Sequence, residues 1–201
     1  MSDLRLSDVK AAAESLSGIS ITDDDAISWA DLGQVEIASV IHPSRLPYLV
    51  ATAYLPSGGY LAQGADSVAG PSDFLRFVQG RLQSSKVIPL TRLPYDEYSL
   101  RTGYGNRDLT INHLLTAEYG GIIYFNPSAP AGGVWRYQLQ YVKFPATITA
   151  INSTLAIGRD LKKLLADYLI LQAQLQDEEF EQYAVLLQKW QAEVAALGGP
   201  R

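Results

Sequence analysis

At 201 residues the chain can bury a core as one domain or as a helical domain carrying a β insertion. Its 47% hydrophobic content against 18% charged residues fits either surface that a partner or sister subunit covers or a well-filled core. The lack of cysteine excludes disulfides, cysteine-bound zinc and thiol nucleophiles, and the net charge of −5 offers no basic footprint for gripping DNA.

No run of 18 or more apolar residues is present, and the opening "MSDLRLSDVK" lacks the basic-then-apolar form of a signal peptide. A soluble protein of the cytoplasm in which it is made is therefore expected. Charge is uneven: −6 over residues 1–44, +3 over 45–158 and −2 over 159–201.

Taken in chain order, Leu6, Val9, Ala13 and Leu16 recur at spacings of three and four, which predicts a helix from about Asp3 to Leu16 with Gly18 as its cap. Thr22 is the expected N-cap of a second helix that runs to about Ile41. Asp23, Asp24 and Asp25 fall in its first turn, where free amides and the helix dipole favour negative charge. Consecutive helical residues point about 100° apart, so this run does not converge on a metal ion. Pro43 ends the helix and biases His42 away from helical angles.

The run "VATAYL" from Val50 to Leu55 is β-prone, and the "PSGGY" after it is turn chemistry. "AQGADSVAGPSDF" predicts either an exposed loop or part of a long hairpin tip, suited to partner contacts; its Gly64 and Gly70 are not followed by the GK[ST] of a phosphate loop. "FLRFVQGRLQ" and "KVIPLT" predict two strands, with Pro89 confining the second to a sheet edge or a strand end. Pro94 opens a short helix ending at Gly103. In "GGIIYFNPSAPAGGVWRYQLQYVKFP" the two-residue period predicts a hairpin, with Ile123 and Phe125 on one strand, Trp135, Tyr137, Leu139 and Tyr141 on the other, and Pro127 to Gly133 as the turn.

Two amphipathic helices are predicted to close the chain. The first, Asn152 to Gln176, carries Leu155, Leu161, Leu164, Leu165, Tyr168, Leu169, Leu171 and Leu175. The second, Asp177 to Leu197, carries Phe180, Tyr183, Ala184, Leu187, Trp190, Val194 and Leu197. So short a turn requires them to lie antiparallel. The expected fold is α+β: a helical bundle of two N-terminal helices plus a C-terminal antiparallel helical hairpin, over residues 1–49 and 150–201, with an inserted antiparallel β region over 50–149.

The chemistry-bearing residues are sparse. His42 and His113 have no companion at metal spacing, and no serine sits in a GxSxG or SxxK setting. The pairs Asp96-Glu97 and Glu178-Glu179 fall in helix first turns, which favour acids for structural reasons. Tyr95, Tyr98, Tyr104, Tyr119, Tyr124, Trp135, Tyr137 and Tyr141 interleave with Arg76, Arg81, Arg92, Arg101 and Arg136. That mixture suits a stacking platform for single-stranded nucleic acid, and equally a protein interface or a core. A third reading is an enzyme acting on cell-wall glycan through Asp96 or Glu118. The residue inventory favours no enzyme, no cofactor and no metal.

The succession "ISITDDDAISWADLGQVEIA", "LVATAYLP", "GPSDFLRFVQGRL", "IPLTRLPYDEYSLR" and "GGIIYFNPSAPAGGVWRYQLQYVKFP", followed by paired helices, resembles phage head-to-tail adaptor proteins, the connector subunits beneath the portal ring. Trp29, Gln34 and Ile37 stand near the family's "W…N.A…I" helix pattern. Gly70 to Arg76 match its "LP.DF.R" element, and Leu139, Tyr141, Lys143 and Pro145 match its "L.Y.K.P" strand end. The resemblance implies a virion protein at the head-tail junction, a ring of about twelve copies matching the portal's symmetry, and DNA passing through the lumen without specific binding.

It further implies that the C-terminus reaches the portal, which nominates Trp190, Val194, Leu197, Gly198, Gly199, Pro200 and Arg201 as contacts. The loops Ser57 to Pro71 and Asn126 to Gly133 are expected to meet a downstream tail protein or the neighbouring subunit, with Ser57, Gly58, Gly59, Tyr60, Asp66, Pro127 and Pro130 as the contacts. The acidic first turn of the second helix and the closing helical pair are the candidate lumen faces.

Overall fold

The computed structural model describes residues 4–84, 87–103, 114–126, 128–129 and 134–198. It is a mixed α+β protein whose described residues form five α-helices and seven strands. Two compact units emerge: residues 1–50 with 144–201, and residues 51–143.

In the helical unit, α1 (Leu6–Ser17) buries Leu6, Val9 and Ala13, and Gly18 closes it in the left-handed conformation at φ 73°. The Thr22 hydroxyl accepts from the Asp25 amide at 3.2 Å and so opens α2 (Asp23–Val40). Ile41 is extended ahead of Pro43, which ends the helix as the sequence predicts. Gly33 brings α2 onto the next long helix, where a Cβ would lie 2.7 Å from side-chain atoms of both Leu165 and Tyr168.

The helix expected from Asn152 starts ten residues late. The stretch before it is a strap bonded to other elements: Ser153 O accepts from Leu6 N–H, Leu155 N–H donates to Leu4 O and Ala156 N–H to Gln34 Oε1. Backbone groups bonded to other elements cannot also bond along a helix axis, so α4 spans Lys162–Gln176 after a 3-10 turn. Leu155 is buried by this strap and not by a helix face.

Asp177, the expected cap of the last helix, instead ends α4, its amide donating to Ala173 O, and Glu178 takes a positive φ of 60°. The last helix, α5, therefore runs Phe180–Gly198. Trp190 Nε1–H donates to Leu164 O at 2.9 Å, with the two rings of Tyr168 and Trp190 5.5 Å apart.

The other unit holds β1 (Val50–Leu55), β2 (Ser67–Ala69), β3 (Phe74–Gln83), β4 (Val87–Arg92), α3 (Tyr95–Gly103), β5 (Leu115–Tyr119), β6 (Ile122–Asn126) and β7 (Arg136–Lys143). The sheet order is β1-β7-β3-β4-β5-β6-β2. The expected hairpin between Ile123 and Tyr141 does not form: β6 pairs with β5 and β2, whereas β7 pairs with β3. The pairing is decided at Gly120 and Gly121, both at positive φ (59° and 77°), which supply the two-residue turn that a twisted antiparallel pair favours. The region is also not wholly antiparallel, because β4 and β5 run parallel at Thr91↔Leu115 and Arg92↔Thr116, joined by a crossover that includes α3.

Pro89 lies on a strand with neighbours on both sides, yet it is tolerated. Among the described residues β5 joins β4 only at Thr91 and Arg92, so Pro89 is paired on the β3 side alone, opposite Arg81. The predicted loop Ala62 to Phe74 contains β2, which pairs with β6 along Ser67 to Ala69.

Alternation does place Tyr137, Leu139 and Tyr141 inside, with Phe77, Leu82, Ile123 and Phe125 around them. Val142 is buried as well, on a strand whose pairing with β3 shifts register between Phe74 and Arg76 and again between Phe77 and Gln79. At the centre, Tyr137 Oη lies 2.7 Å from Thr116 Oγ1, which also donates to Tyr124 O.

Candidate functional site

The tyrosines and arginines nominated for a stacking platform are dispersed by the fold. Tyr98, Tyr137 and Tyr141 are at most 6% exposed. Burial raises the pKa of Tyr98 and Tyr137 well above the ordinary phenol value, and burial together with a 2.8 Å bond to Asp73 pushes Tyr141 up to about 12. Tyr95, Tyr119 and Tyr124 form a separate aromatic group where α3 packs on β5 and β6, with the Tyr95 and Tyr119 rings stacked at 4.7 Å. Arg92 lies over the Phe77 ring, Arg136 over Tyr60, and Arg101 pairs with Glu97 within α3. Burial, and after it the nearby charge of Arg92, lowers the pKa of Arg76. Tyr104 lies outside the described residues.

His42 caps the 3-10 turn Pro43–Arg45, its Nδ1 accepting from the Ser44 amide, and is thereby explained by local structure. His113 lies outside the described residues. Asp96 is exposed on α3, and Glu118 is half-buried on β5. Among the described residues no group of three or more histidine, aspartate or glutamate side chains is placed to hold a metal ion. Nor is any helix long and apolar enough to cross a membrane.

The two loop regions nominated for partner contacts are brought together. Leu61 N–H donates to Trp135 O, Gly64 N–H to Ala129 O and Ala129 N–H to Ala65 O. The Arg136 guanidinium donates to Gly59 O at 3.0 Å and stacks on Tyr60, 4.7 Å from the ring centroid. Ser57 and Gly58 are exposed beside them. Asp66 is tied at its carbonyl to Phe125 N–H while its side chain accepts from Ser67. This corner therefore presents Tyr60, 53% exposed, on a braced loop. Pro127 and Pro130 lie outside the described residues.

At the C-terminal end, Trp190 and Val194 are buried in the helical unit. Leu197 is half-buried, its carbonyl accepting from His42 N–H. Gly198 passes so close to α2 that a Cβ would lie 2.9 Å from Val40 O. Gly199 to Arg201 lie outside the described residues.

Helical periodicity does not show how little of α5 is covered. Of its 19 residues only Trp190 and Val194 are buried. Phe180 is 60% exposed and Val185 72%, although Phe180 and Leu175 both fall in predicted inward stripes. Across from them Leu16, also predicted to face inward, is 66% exposed at the end of α1. Helical spacing marks a face but not how far along it a neighbour extends. The available signal was the pair Val185 and Leu186, apolar and outside the predicted stripe.

The family patterns sit in structural roles. Gln34 and Ile37 are fully buried on α2, and Tyr141 bonds Asp73. No curated protein matches the chain as a relative. The family model described as SU10 adaptor protein matches residues 4–200, which is nearly the whole length. The chain therefore belongs to the SU10 adaptor protein family of phage head-to-tail adaptors.

Proposed function

We propose that the protein is a structural component of the virion that forms a ring beneath the portal, joins the capsid to the tail and lets DNA pass. The observation that carries this reading is the family match over residues 4–200. The uncovered apolar residues Leu16, Phe180 and Val185 support it, since exposed large apolar side chains suit a surface that a partner covers.

In this reading residues 1–49 and 150–201, closing on a helical hairpin, build the ring wall, and the inserted region 50–149 meets the next tail component or the neighbouring subunit. A head-to-tail interface closes by rotation into a ring of about twelve copies, matching the portal. The net charge of −5 then becomes about −60, and an acidic lumen repels phosphates so that the genome slides without sticking. Trp190 and Val194 anchor α5, from which Leu197 and the tail to Arg201 reach the portal. The braced loops carrying Tyr60 and Asp66 offer the contact to the next tail component or the neighbouring subunit.

Light scattering of the purified chain, with and without portal rings of the same phage, tests the proposal. A stoichiometric ring on the portal is expected. A chain that ignores portal rings refutes it, and salt-dependent binding of short oligonucleotides would then favour the single-stranded nucleic-acid reading.

A further inference from the structure

We infer that the open flank of α4, between α1 and α5, is the seat for the β unit of the next copy, an inference that rests on the ring proposed above. Helix α4 packs against α1, α2 and α5. Between α1 and α5 a groove of about 500 Å³ remains, floored by Asp167, Ile170 and Gln174 and walled by Leu16, Ile19 and Leu186. A second hollow, sharing Gln174 and Leu186, continues over Val185.

Three separate observations point to an occupant. The rim is apolar and exposed, with Val185 72% and Leu16 66% accessible. The floor holds an incomplete hydrogen bond: Gln174 is 8% exposed, its Nε2 lies 3.5 Å from Gln182 Oε1, and its own Oε1 has no donor among the described residues. A buried acceptor of this kind is satisfied by a donor from outside the subunit, water or a partner's group. The third observation is charge. Residues 1–50 with 144–201 hold fifteen acids against eight bases, a net charge of −7, whereas residues 51–143 hold six against eight, +2.

The groove and the adjoining hollow, with Glu193 bonded to Lys163, hold four acids against two bases, the sign of their own unit. Lys163 is already bonded to Asp167 and Glu193, so the rest of the rim sets Glu179 against the single cation of Lys189, with Glu181 beside Val185 in the adjoining hollow. A second helical unit would meet this rim with like charge. The β unit meets it with opposite charge, and contact between unlike patches of successive copies is the heterologous geometry that closes a ring.

The test places the photo-reactive residue p-benzoylphenylalanine at Val185 in the full-length chain. Rings are assembled on portal from mixed isotopically light and heavy subunits, irradiated, and mapped by mass spectrometry. Cross-links between copies that land in residues 51–143 are expected. Cross-links to another copy's residues 1–50 or 144–201, to portal alone, or none in a formed ring overturn the inference while the ring stands. Failure of the unmodified chain to form rings, read separately by light scattering, removes the ring and the inference together. As a second variant, Glu179→Lys with Glu181→Lys alters only exposed side chains and preserves the fold by circular dichroism. It should raise the subunit concentration needed for ring formation at least tenfold at low salt, and an unchanged concentration overturns the inference.

Discussion

Gly80 tests whether the centre of the β unit is packed as described. A Cβ at this position of β3 would lie 1.8 Å from Tyr137 Oη and 2.6 Å from its Cζ, inside the 3.0 Å that real Cβ contacts respect. Tyr137 cannot swing away, because it is fully buried, its ring lies 5.4 Å from that of Phe125, and its hydroxyl is held by Thr116. Gly80→Ala should therefore cost about 2 kcal/mol of overpacking and about 1 kcal/mol for the displaced hydroxyl bond, near 3 kcal/mol together. In urea, with a slope of about 2 kcal/mol per molar, the unfolding midpoint should fall by roughly 1.5 M. Tyr137→Phe alone should cost about 1 kcal/mol. It also removes the shortest contact, so Gly80→Ala in that background should cost about 1 kcal/mol less than in the wild type. Circular dichroism across the four proteins measures this cycle. Additive losses, or a Gly80→Ala variant as stable as wild type, would show that the hydroxyl does not occupy the space above Gly80.

Gly33→Ala should destabilise by about 1–3 kcal/mol in the same assay, because its Cβ meets Leu165 and Tyr168 at 2.7 Å. An exposed helix interior would instead gain about 1 kcal/mol from that change, so the sign decides. Thr22→Ala removes the acceptor for the Asp25 amide and should cost about 1 kcal/mol of thermal or urea stability, with loss of helix signal before the main transition. Tyr141, raised to about 12 by burial and by Asp73, stabilises the folded state fully below pH 10, the ordinary phenol value, and loses that contribution as pH rises from 10 through 12. Urea midpoints measured from pH 9 to 12 should therefore fall less steeply for Tyr141→Phe than for wild type; parallel curves would refute the assignment.

Several features were legible in the residues because they depend on neighbours a few positions away. Thr22 caps α2, Gly18 closes α1, and the alternation Tyr137, Leu139, Tyr141 turns these side chains to one face. The order of segments was enough to suggest the adaptor family. The platform of tyrosines and arginines was legible only as composition, and three-dimensional placement divided it between core, an aromatic cluster and a braced loop.

What only the tertiary structure decided was pairing and coverage. A two-residue period says which side chains share a face but not which strand lies alongside, so β6 could be matched to β7 in sequence while Gly120 and Gly121 join it to β5 in space. The strap before α4 carries a helical period, yet its backbone is bonded to Leu4, Leu6 and Gln34 from elsewhere in the chain. Helix α5 likewise has an apolar stripe along its length, while Trp190 and Val194 are its only buried residues. Local spacing is determined by the covalent chain; the partner that satisfies it is set by contacts between residues far apart in sequence.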